Sequence, residues 1–437
     1  MTRSIPRRRA LALLTVVPLA AAAACSSGGS GGGSPASDSA SSANPDNGTQ
    51  LTMWVRSATD AFSKRLVAGY NSSHKNQVKL TVIPNDSYLQ KVGAAAGANS
   101  LPDILAADVV YFPNYTKQGI YQDLTAKIDA LPFKAALAQS SISAATRKEK
   151  VYGVPHKLDS SVLFYNKDLF KKAGLDPEKA PANFDEIYSD AKAVNKLGGG
   201  VNGFYFGGNC GGCMGYSTFP YAWAAGKTVI SDDGTKADLD NEAFKKTFAL
   251  YKKMYDEGIV ASGAKTEDGS TWSASFLAGK VGILPLGSPL VGDLQKVKFQ
   301  WGVAPLMAPD GSATSTFVGG DVAGVSRSSS HPDQAWDFLK WTLGDQAQVE
   351  IIAKNGDLPG RTDLSDNKYT SDDPRTKLIA DGIKNGHTPA ALPFGELFND
   401  ANGPWVAGIR KAIFGDSPDQ ALSDMQSAVQ SKLDSSG

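Results

Sequence analysis

Aromatic and acidic side chains follow predicted strands in the first third of the chain. Trp54 lies near the end of the strand LTMWVR, and Asp108 and Tyr111 come just after the strand 103–107. In an open α/β sheet, ligands bind beyond the carboxyl ends of the strands, where an aromatic face and a carboxylate can hold a polyhydroxylated ring. From their place at the strand ends alone, whatever the ligand is, we therefore predict that Trp54, Asp108 and Tyr111 contact it. The competing interpretations are that Trp54 packs under the following helix and that Asp108 caps a helix.

The sequence lacks the common catalytic motifs. GxSxG, GxxxxGK[ST] and HExxH are absent, and the glycine run Gly198–Gly203 follows a helix rather than a strand, which argues against a dinucleotide site there. His156 has no second His or Cys at coordinating spacing. We therefore predict that the chain is not an enzyme and carries neither metal nor cofactor.

The elements that position these residues follow a strand–helix–strand order. Strands are predicted at 51–56 and 78–83 with a helix between them, and the alternation continues through 103–107. This order predicts right-handed crossovers and an open α/β sheet. Farther on, Asn183 and Asp240 are predicted helix caps.

Composition and charge narrow the class of protein. The 437 residues are 41% apolar, which predicts two or three domains with a sizeable core. The chain has 44 basic and 44 acidic residues; four arginines precede residue 25, so the remainder has 40 basic against 44 acidic residues, a net charge of −4. This mild acidity, with no basic stripe, argues against nucleic acid or an anionic membrane surface as a partner.

The N-terminus has the layout of an export signal. A basic segment precedes an apolar run at 10–24, which is shorter than the roughly 20 residues of a membrane span. Ala22-Ala23-Ala24-Cys25 resembles the lipobox of bacterial lipoproteins, so we predict a signal peptide over 1–25 and a lipid on Cys25. A plain cleavable signal is the alternative. The Gly/Ser-rich residues 26–48 predict a flexible tether.

Two further cysteines lie close together in a glycine-rich stretch. Cys210 and Cys213 form a CGGC motif within the predicted loop Gly198–Gly215. In an exported protein an even number of remaining cysteines favours a disulfide, with free thiols as the alternative. A thioredoxin-like role would need a helix that begins at the first cysteine, which the flanking glycines oppose.

The stretch Val151–Leu175, VYGVPHKLDSSVLFYNKDLFKKAGL, predicts a turn, a strand and a helix capped by Asn166. It resembles the YGVP and LxYNKDLFKKAGL signature of the extracellular solute-binding proteins that deliver sugars to ABC importers, the family that includes maltose-binding protein. SFLAGKVGILPLGSP (275–289) and TFVGGDVAGVS (316–326) resemble later family segments in the same order. The resemblance covers nearly the whole mature chain.

This resemblance implies an α/β, two-lobed periplasmic-binding-protein-like fold of type II, in which each lobe is an open α/β sheet. His156–Ser160 would lie at the hinge, with His156 as a hydrogen-bonding residue. The three implied inter-lobe crossings are near Val154–Leu163, Pro309–Thr316 and Leu358–Thr362. The implied lobes are residues 49–156 with 316–360, and residues 157–315 with 361–437.

The resemblance also implies ligand contacts at further positions. Each of three positions also has an interpretation without a ligand. Asp159 could be a solvated acid in a turn, and Trp223 could belong to a buried helix face. Arg361 could form a surface salt bridge. Where the family commonly reads GPW, this chain has Gly287–Leu290, GSPL, so Trp223 or Trp272 is the expected substitute for the missing tryptophan. The positions implied are Asp159, Trp223, Trp272, Gly320, Asp321, Arg361, Phe394 and Glu396.

The function implied is that of a monomeric, lipid-anchored protein outside the cytoplasm. It would capture a mono- or oligosaccharide by hinge closure and deliver it to the permease of an ABC importer. An exported glycoside hydrolase is the alternative from another class, because Asp108, Asp159 and Glu396 could supply two carboxylates roughly 5–10 Å apart. A third interpretation keeps the fold and changes the solute to a non-sugar.

Overall fold

The computed structural model describes residues 45–436 of the chain. The predicted signal peptide, Cys25 and most of the predicted tether lie outside this range. The strands are β1 Gln50–Arg56, β2 Gln77–Ile83, β3 Ile104–Asp108, β4 Thr146–Arg147, β5 Lys150–Val151, β6 Val154–Asn166, β7 Asn202–Phe204, β8 Val281–Gly287, β9 Trp301–Ala304, β10 Leu306–Met307, β11 Thr314–Val325 and β12 Gly386–His387.

The helices alternate with these strands and cover the sheet that they form. They are α1 Asp60–Asn71, α2 Asn85–Gly97, α3 Phe112–Lys117, α4 Thr125–Asp129, α5 Gln139–Ala144, α6 Lys167–Lys172, α7 Phe184–Asn195, α8 Gly211–Ala224, α9 Glu242–Asp256, α10 Ala274–Leu277, α11 Val291–Leu294, α12 Pro332–Thr342, α13 Pro374–Gly382, α14 Pro404–Phe414 and α15 Pro418–Ser436.

Ten of the described strands join one mixed sheet in the order β2-β1-β3-β11-β6-β8-β7, with β9 attached to β6 and with β10 and β12 attached to β11. β1 pairs in parallel with β2 and β3, as the predicted strand–helix–strand order requires. β11 returns antiparallel between β3 and β6. The predicted α/β class is confirmed.

Two long strands are shared by both halves of this sheet. The first part of β6 pairs with β11, and its second part pairs with β8 and β9. The end of β11 pairs with β3, and its beginning pairs with β10 and β12. The sequence predicted a strand that follows residues 156–160, which the resemblance placed at the hinge. In the structure β6 already begins at Val154 and runs through these residues without a break. Its backbone groups are satisfied by β11 along its first part and by β8 and β9 along its second part.

Short polar side chains begin several helices. Asn166 Oδ1 accepts the Leu169 N–H at 3.0 Å, and Asn183 Oδ1 accepts the Glu186 N–H at 2.9 Å, so both predicted caps are confirmed. The prediction for α9 was wrong by one residue. Asn241 caps that helix, and the preceding acid, Asp240, pairs with Lys245 at 3.2 Å.

The predicted loop Gly198–Gly215 ends earlier than expected, because α8 begins at Gly211. Cys210 caps this helix, and its Sγ accepts the Cys213 N–H at 3.1 Å. A Cβ placed on Gly211 would lie 1.9 Å from the Phe398 carbonyl oxygen. The glycine therefore permits a close approach of two backbone segments, and the sequence argument that these glycines oppose a helix was wrong.

The start of the described chain is held to the folded body. Asn76 Oδ1 accepts the N–H groups of Asn47, Gly48 and Thr49 at 3.2, 3.1 and 2.9 Å. Asp46 Oδ1 in turn accepts the Asn76 N–H at 2.7 Å. The last residues of the predicted tether, from Pro45, thus belong to the folded body.

An aromatic stripe on α9 forms much of the core beneath β7 and α14. Phe244, Phe248 and Tyr251 are fully buried, as their spacing predicts. The first two rings pack against Trp405 of α14, with ring centroids 5.9 Å apart in each pair. This packing fixes the position of α8, which contacts α9 and carries residues of the site described next.

Candidate functional site

A cavity of about 560 Å³ lies where the strand ends of one half of the sheet face α8, β8 and the C-terminal segment. Its volume is within the range of pockets that hold small molecules. Acids, an arginine and aromatic rings all line it. The lining residues are Arg56, Ala58, Asp108, Val110, Asp159, Gly212, Cys213, Tyr216, Trp272, Ser273, Leu286, Gly287, Pro289, Leu290, Asp293, Phe317, Gly319, Gly320, Phe394 and Asn399.

Arg56, at the end of β1, holds two carboxylates at one end of the cavity. The antiparallel register of β11 and β3 places Asp321 opposite Asp108. Arg56 Nη1 lies 3.0 Å from Asp108 Oδ2, and Arg56 Nε lies 3.1 Å from Asp321 Oδ1. Burial opposes the charged guanidinium, yet the two carboxylates raise the pKa of Arg56 above its ordinary value.

Asp108 faces the cavity with 26% of its side chain exposed. Burial outweighs the attraction of Arg56, and Asp321 and Asp159 repel the negative form, so the pKa of Asp108 is raised to about 6. Asp108 Oδ1 also accepts the Val110 N–H at 3.2 Å, but α3 begins later, at Phe112. Its carboxylate therefore faces the cavity beside Arg56 and does not cap that helix.

Asp159 occupies the point where β6 passes from one half of the sheet to the other. Tyr216 of α8 donates its hydroxyl hydrogen to Asp159 Oδ1 at 2.7 Å. Burial raises the pKa of Asp159, while the hydrogen bond from Tyr216 favours the ionised form. Gly319 is paired with Asp159 across the strands, and a Cβ there would lie 2.4 Å from Asp159 Oδ1. Position 319 must therefore be glycine if the Asp159 carboxylate is to keep this place.

Flat aromatic side chains lie beside these carboxylates in the cavity lining. Tyr216 packs against Phe317 with ring centroids 5.1 Å apart, and Trp272 and Phe394 line the cavity with 7% and 4% exposure. Apolar ring faces beside carboxylates can hold the CH-rich face and the hydroxyl groups of a sugar. The wall also includes Cys213, which forms a disulfide with Cys210 as the sequence favoured.

Five predicted site residues line the cavity, and Asp321 lies directly behind it. The five are Asp108, Asp159, Trp272, Gly320 and Phe394. The side chain of Asp321 has no exposed surface and is held by Arg56. Gly320 adopts φ +103°, and a Cβ there would meet the Lys157 carbonyl oxygen at 2.1 Å, so its role is to keep β11 and β6 close.

Three other predicted residues lie outside the cavity lining because they have different partners. The Trp54 ring lies under Lys91 of α2, 5.1 Å from the ammonium, so it packs under a helix. Trp223 packs against Phe317 and the His387 ring.

Arg361 also lies elsewhere, since its guanidinium pairs with Asp345 and Asp363 and covers Phe133. It forms ion pairs, as the alternative interpretation held, but its side chain is buried rather than at the surface.

The last two predicted residues lie next to the cavity. Tyr111 accepts a hydrogen bond from Asn399 Nδ2 at 2.8 Å, and Asn399 is a lining residue. Glu396 pairs with Lys432 at 2.9 Å, and 70% of its side chain is exposed. Glu396 is therefore not positioned with Asp108 and Asp159 as a third cavity carboxylate.

Sequence reasoning missed Arg56, Tyr216, Phe317 and Asn399 as lining residues. Arg56 follows Trp54 at the end of a predicted strand, so its position at the sheet edge was a usable signal. Tyr216 lies one residue beyond the predicted loop and was not chosen as a ligand contact. Recognising Cys210 as a helix cap would have placed Tyr216 in the second turn of α8, on a predictable face.

His156 makes the hydrogen bond expected of it. The buried imidazole Nε2 lies 2.9 Å from Ser63 Oγ, and the Phe62 ring packs edge-on at 5.2 Å. Burial lowers the pKa of His156 to about 4, although the charge of Asp321 acts in the opposite direction. Within residues 45–436, no cluster of three or more His, Cys, Asp or Glu could hold a metal ion. No helix of the same range is long and apolar enough to cross a membrane.

Comparison with known proteins gives related sequences along most of the chain. The diacetylchitobiose binding protein DasA of Streptomyces coelicolor is 24% identical over 419 residues, which cover 91% of this chain and 93% of that protein. The galactooligosaccharide-binding protein of Bacillus subtilis is 23% identical over 338 residues, covering 75% of this chain and 76% of that protein.

Solved structures share the same architecture. The cyclic α-maltosyl-1,6-maltose binding protein of Arthrobacter globiformis matches with a TM-score of 0.76 and 25% identity, covering 89% of this chain and 100% of that one. This confirms the predicted two-lobed periplasmic-binding-protein fold. Residues 56–349, more than half of the chain, match the family model described as bacterial extracellular solute-binding protein. The chain therefore belongs to the bacterial extracellular solute-binding protein family.

Proposed function

We propose that this chain is the binding component of an ABC importer and that it captures a carbohydrate, most simply an oligosaccharide, in the cavity described above. The observation that carries the proposal is the pairing of two carboxylates, Asp108 and Asp159, with a wall of aromatic rings in one cavity. The names of the related proteins given above state that they bind oligosaccharides, which supports the same class of ligand here.

Ligand capture would work through the balance between open and closed arrangements of the two lobes. Arg56 and Asp108 come from the first strands of the sheet, whereas Tyr216 and Trp272 come from the central part of the chain. A sugar that contacts both sets gains its full contacts only when they approach each other. Binding therefore favours the closed arrangement, which a permease can recognise.

The proposal includes the location and the partners of the protein. We infer that it acts outside the cytoplasm, held to the membrane by a lipid on Cys25, as a monomer that delivers its sugar to permease subunits. The lobes would be those expected from the sequence, residues 49–156 with 316–360 and residues 157–315 with 361–437. The family assignment supports an extracellular location.

The proposal also states that no bond is broken in the cavity. A glycosidase needs one carboxylic acid and one carboxylate free to act on opposite sides of the scissile bond. Here Asp108 is held by Arg56, and Asp159 accepts the Tyr216 hydroxyl. These partners suit binding groups that accept hydroxyl hydrogens from a sugar.

Calorimetric titration with mono-, di- and trisaccharides tests this function, with chromatography of each mixture afterwards. We expect one-to-one binding of at least one oligosaccharide, recovered intact. Asp108→Asn should weaken that binding by about tenfold, since it removes one charged hydrogen-bond acceptor. The matched control is Asp333→Asn, which removes a surface carboxylate paired with Lys127 and should bind as the unaltered protein does. Cleaved sugar would establish a hydrolase, and absence of binding to every sugar would refute the carbohydrate assignment.

A further inference from the structure

The lining of the cavity contains more acidic than basic side chains. Among the described lining residues, Arg56 is the cation, and the acids are Asp108, Asp159 and Asp293. Arg56 is already shared between Asp108 and the fully buried Asp321. Asp293 pairs with Lys296 at 2.9 Å, and 58% of its side chain is exposed. Among the described lining acids, Asp159 is the one with no cation within ion-pair distance.

The immediate partners of Asp159 confirm this imbalance. Its hydrogen-bond donor is the uncharged Tyr216 hydroxyl. Within residues 45–436, no Lys, Arg or His nitrogen lies at ion-pair distance from the Asp159 carboxylate. Lys157, two residues away on β6, lies instead 3.6 Å from Asp357. Burial raises the pKa of Asp159, whereas the Tyr216 hydrogen bond and the more distant charges of Lys157 and Arg56 favour its ionised form. A hydrogen-bond donor that a ligand brings would stabilise that form further.

We propose that Asp159 makes the cleft selective against acidic glycans, so that uncharged and amino sugars are accepted while uronic acids and sugar phosphates are refused. The inference rests on the proposed function, because it assumes that the cavity binds a carbohydrate. A hydroxyl or ammonium group can donate a hydrogen bond to Asp159. A ligand carboxylate or phosphate would bring a second negative charge beside it, with Arg56 already neutralised, and like charges brought together in an interface oppose binding strongly.

The arrangement of the strands confines the Asp159 side chain at the cavity wall. Gly319 lies directly across from Asp159 on β11, and Tyr216 packs over the same pair. The Asp159 side chain is therefore confined between a strand and an aromatic ring. Asp108, Asp159 and Tyr216 line the same cavity, and the Tyr216 hydroxyl contacts Asp159, so a sugar that packs against the Tyr216 ring lies beside the Asp159 carboxylate. This position makes Asp159 a specificity-determining residue.

A carbohydrate array tests the proposal with the unaltered protein, Asp159→Asn and Tyr216→Phe. The array holds matched glucose-, galactose- and mannose-based mono-, di- and trisaccharides, each in neutral, amino, uronic acid and 6-phosphate forms. We expect the unaltered protein to bind a neutral or amino member at least about tenfold more tightly than its acidic counterparts. Asp159→Asn should bind the acidic counterparts at least about tenfold better relative to the neutral member.

Tyr216→Phe is the matched control, because it breaks the same hydrogen bond and keeps the carboxylate charge. It should lose affinity in general and still refuse acidic members. Circular dichroism and melting curves check that each variant folds, and Asp159→Ser replaces Asp159→Asn if the latter does not. Equal affinity of the unaltered protein for acidic and neutral members, or an unchanged preference in the Asp159 variant, overturns the inference while the proposed function stands. No binding to any member refutes the proposed function and this inference together.

Discussion

Arg56 is the residue on which the charge balance of the cavity wall depends. It contacts Asp108 and Asp321, and the Asp321 side chain has no exposed surface. Arg56→Gln would leave that buried carboxylate without its cation, so we expect the free energy of unfolding to fall by about 3–5 kcal/mol. Urea denaturation measures this change.

The control is the double variant Arg56→Gln/Asp321→Asn, in which neither partner is charged. It should recover much of the lost stability, because the main penalty comes from one unpaired buried charge. A loss below about 1 kcal/mol for the single variant would show that Asp321 finds another partner or takes up a proton.

His156 makes the stability of the fold depend on pH. Its pKa is lowered to about 4 by burial, against an ordinary value of about 6.5. Between these values the folded protein binds fewer protons than the unfolded chain. The free energy of unfolding contributed by this group therefore falls as pH falls from 6.5 to 4, by up to about 3 kcal/mol.

Urea denaturation of the unaltered protein and of His156→Gln at pH 7 and pH 4.5 isolates this contribution. The unaltered protein should lose more stability between the two pH values than the variant does. Asp108, with its pKa raised to about 6, acts in the opposite direction over part of this range and is present in both proteins, so it cancels in the comparison. Equal losses in the two proteins would contradict the assignment.

At the scale of the elements, the contact between β6 and β11 fixes the position of the site. A Cβ on Gly319 would lie 2.4 Å from Asp159 Oδ1 and 3.1 Å from the Tyr216 ring. We expect Gly319→Ala to displace Asp159 and to lower sugar affinity at least about tenfold, with the secondary structure retained. Calorimetric titration and circular dichroism measure the two effects. Gly292→Ala is the control, since a Cβ on Gly292 of α11 meets no atom within 4 Å. Equal affinities of the two variants would contradict this account.

The sequence predicted elements better than it predicted contacts across them. The periodicity of β1, β2 and β3 and the caps at Asn166 and Asn183 depend on neighbouring residues, so they could be inferred directly. The ion pairs of Arg361 could not be inferred in this way, because they depend on how the chain folds to bring Asp345 and Asp363 to its guanidinium.

The start of α8 shows a second limit of sequence reasoning. Gly211 is a glycine because the Phe398 backbone, almost two hundred residues away, leaves no space for a side chain. Because glycine has a low helix propensity, the local sequence assigned Gly211 to a loop. Tyr216, which depends on α8 for its position, was missed with it.

At the scale of the whole molecule, contacts along one rim join the two predicted lobes. Asn399 Nδ2 donates to the Tyr111 hydroxyl at 2.8 Å, and Lys117 Nζ donates to the Ser436 carbonyl oxygen at 2.8 Å. We expect Tyr111→Phe to favour the open arrangement and to weaken sugar binding about two- to tenfold, because one hydrogen bond is worth about 1 kcal/mol. Titration and small-angle X-ray scattering measure affinity and the radius of gyration.

Tyr369→Phe serves as the control for that variant. Its hydroxyl donates to Glu350 at 2.8 Å on the surface, so its loss should alter neither affinity nor dimensions. If both tyrosine variants bind sugar as tightly as the unaltered protein, the rim contact does not contribute to closure.

β6 and β11 have one more consequence, which concerns how the molecule melts. Because each strand supplies hydrogen bonds to both halves of the sheet, neither half retains a complete set of partners once the other has come apart. The two predicted lobes should therefore lose their structure in one cooperative transition, even with the relative motion that the proposed function gives them in the native state. A sugar bound in the cavity would then protect both lobes from heat to the same degree.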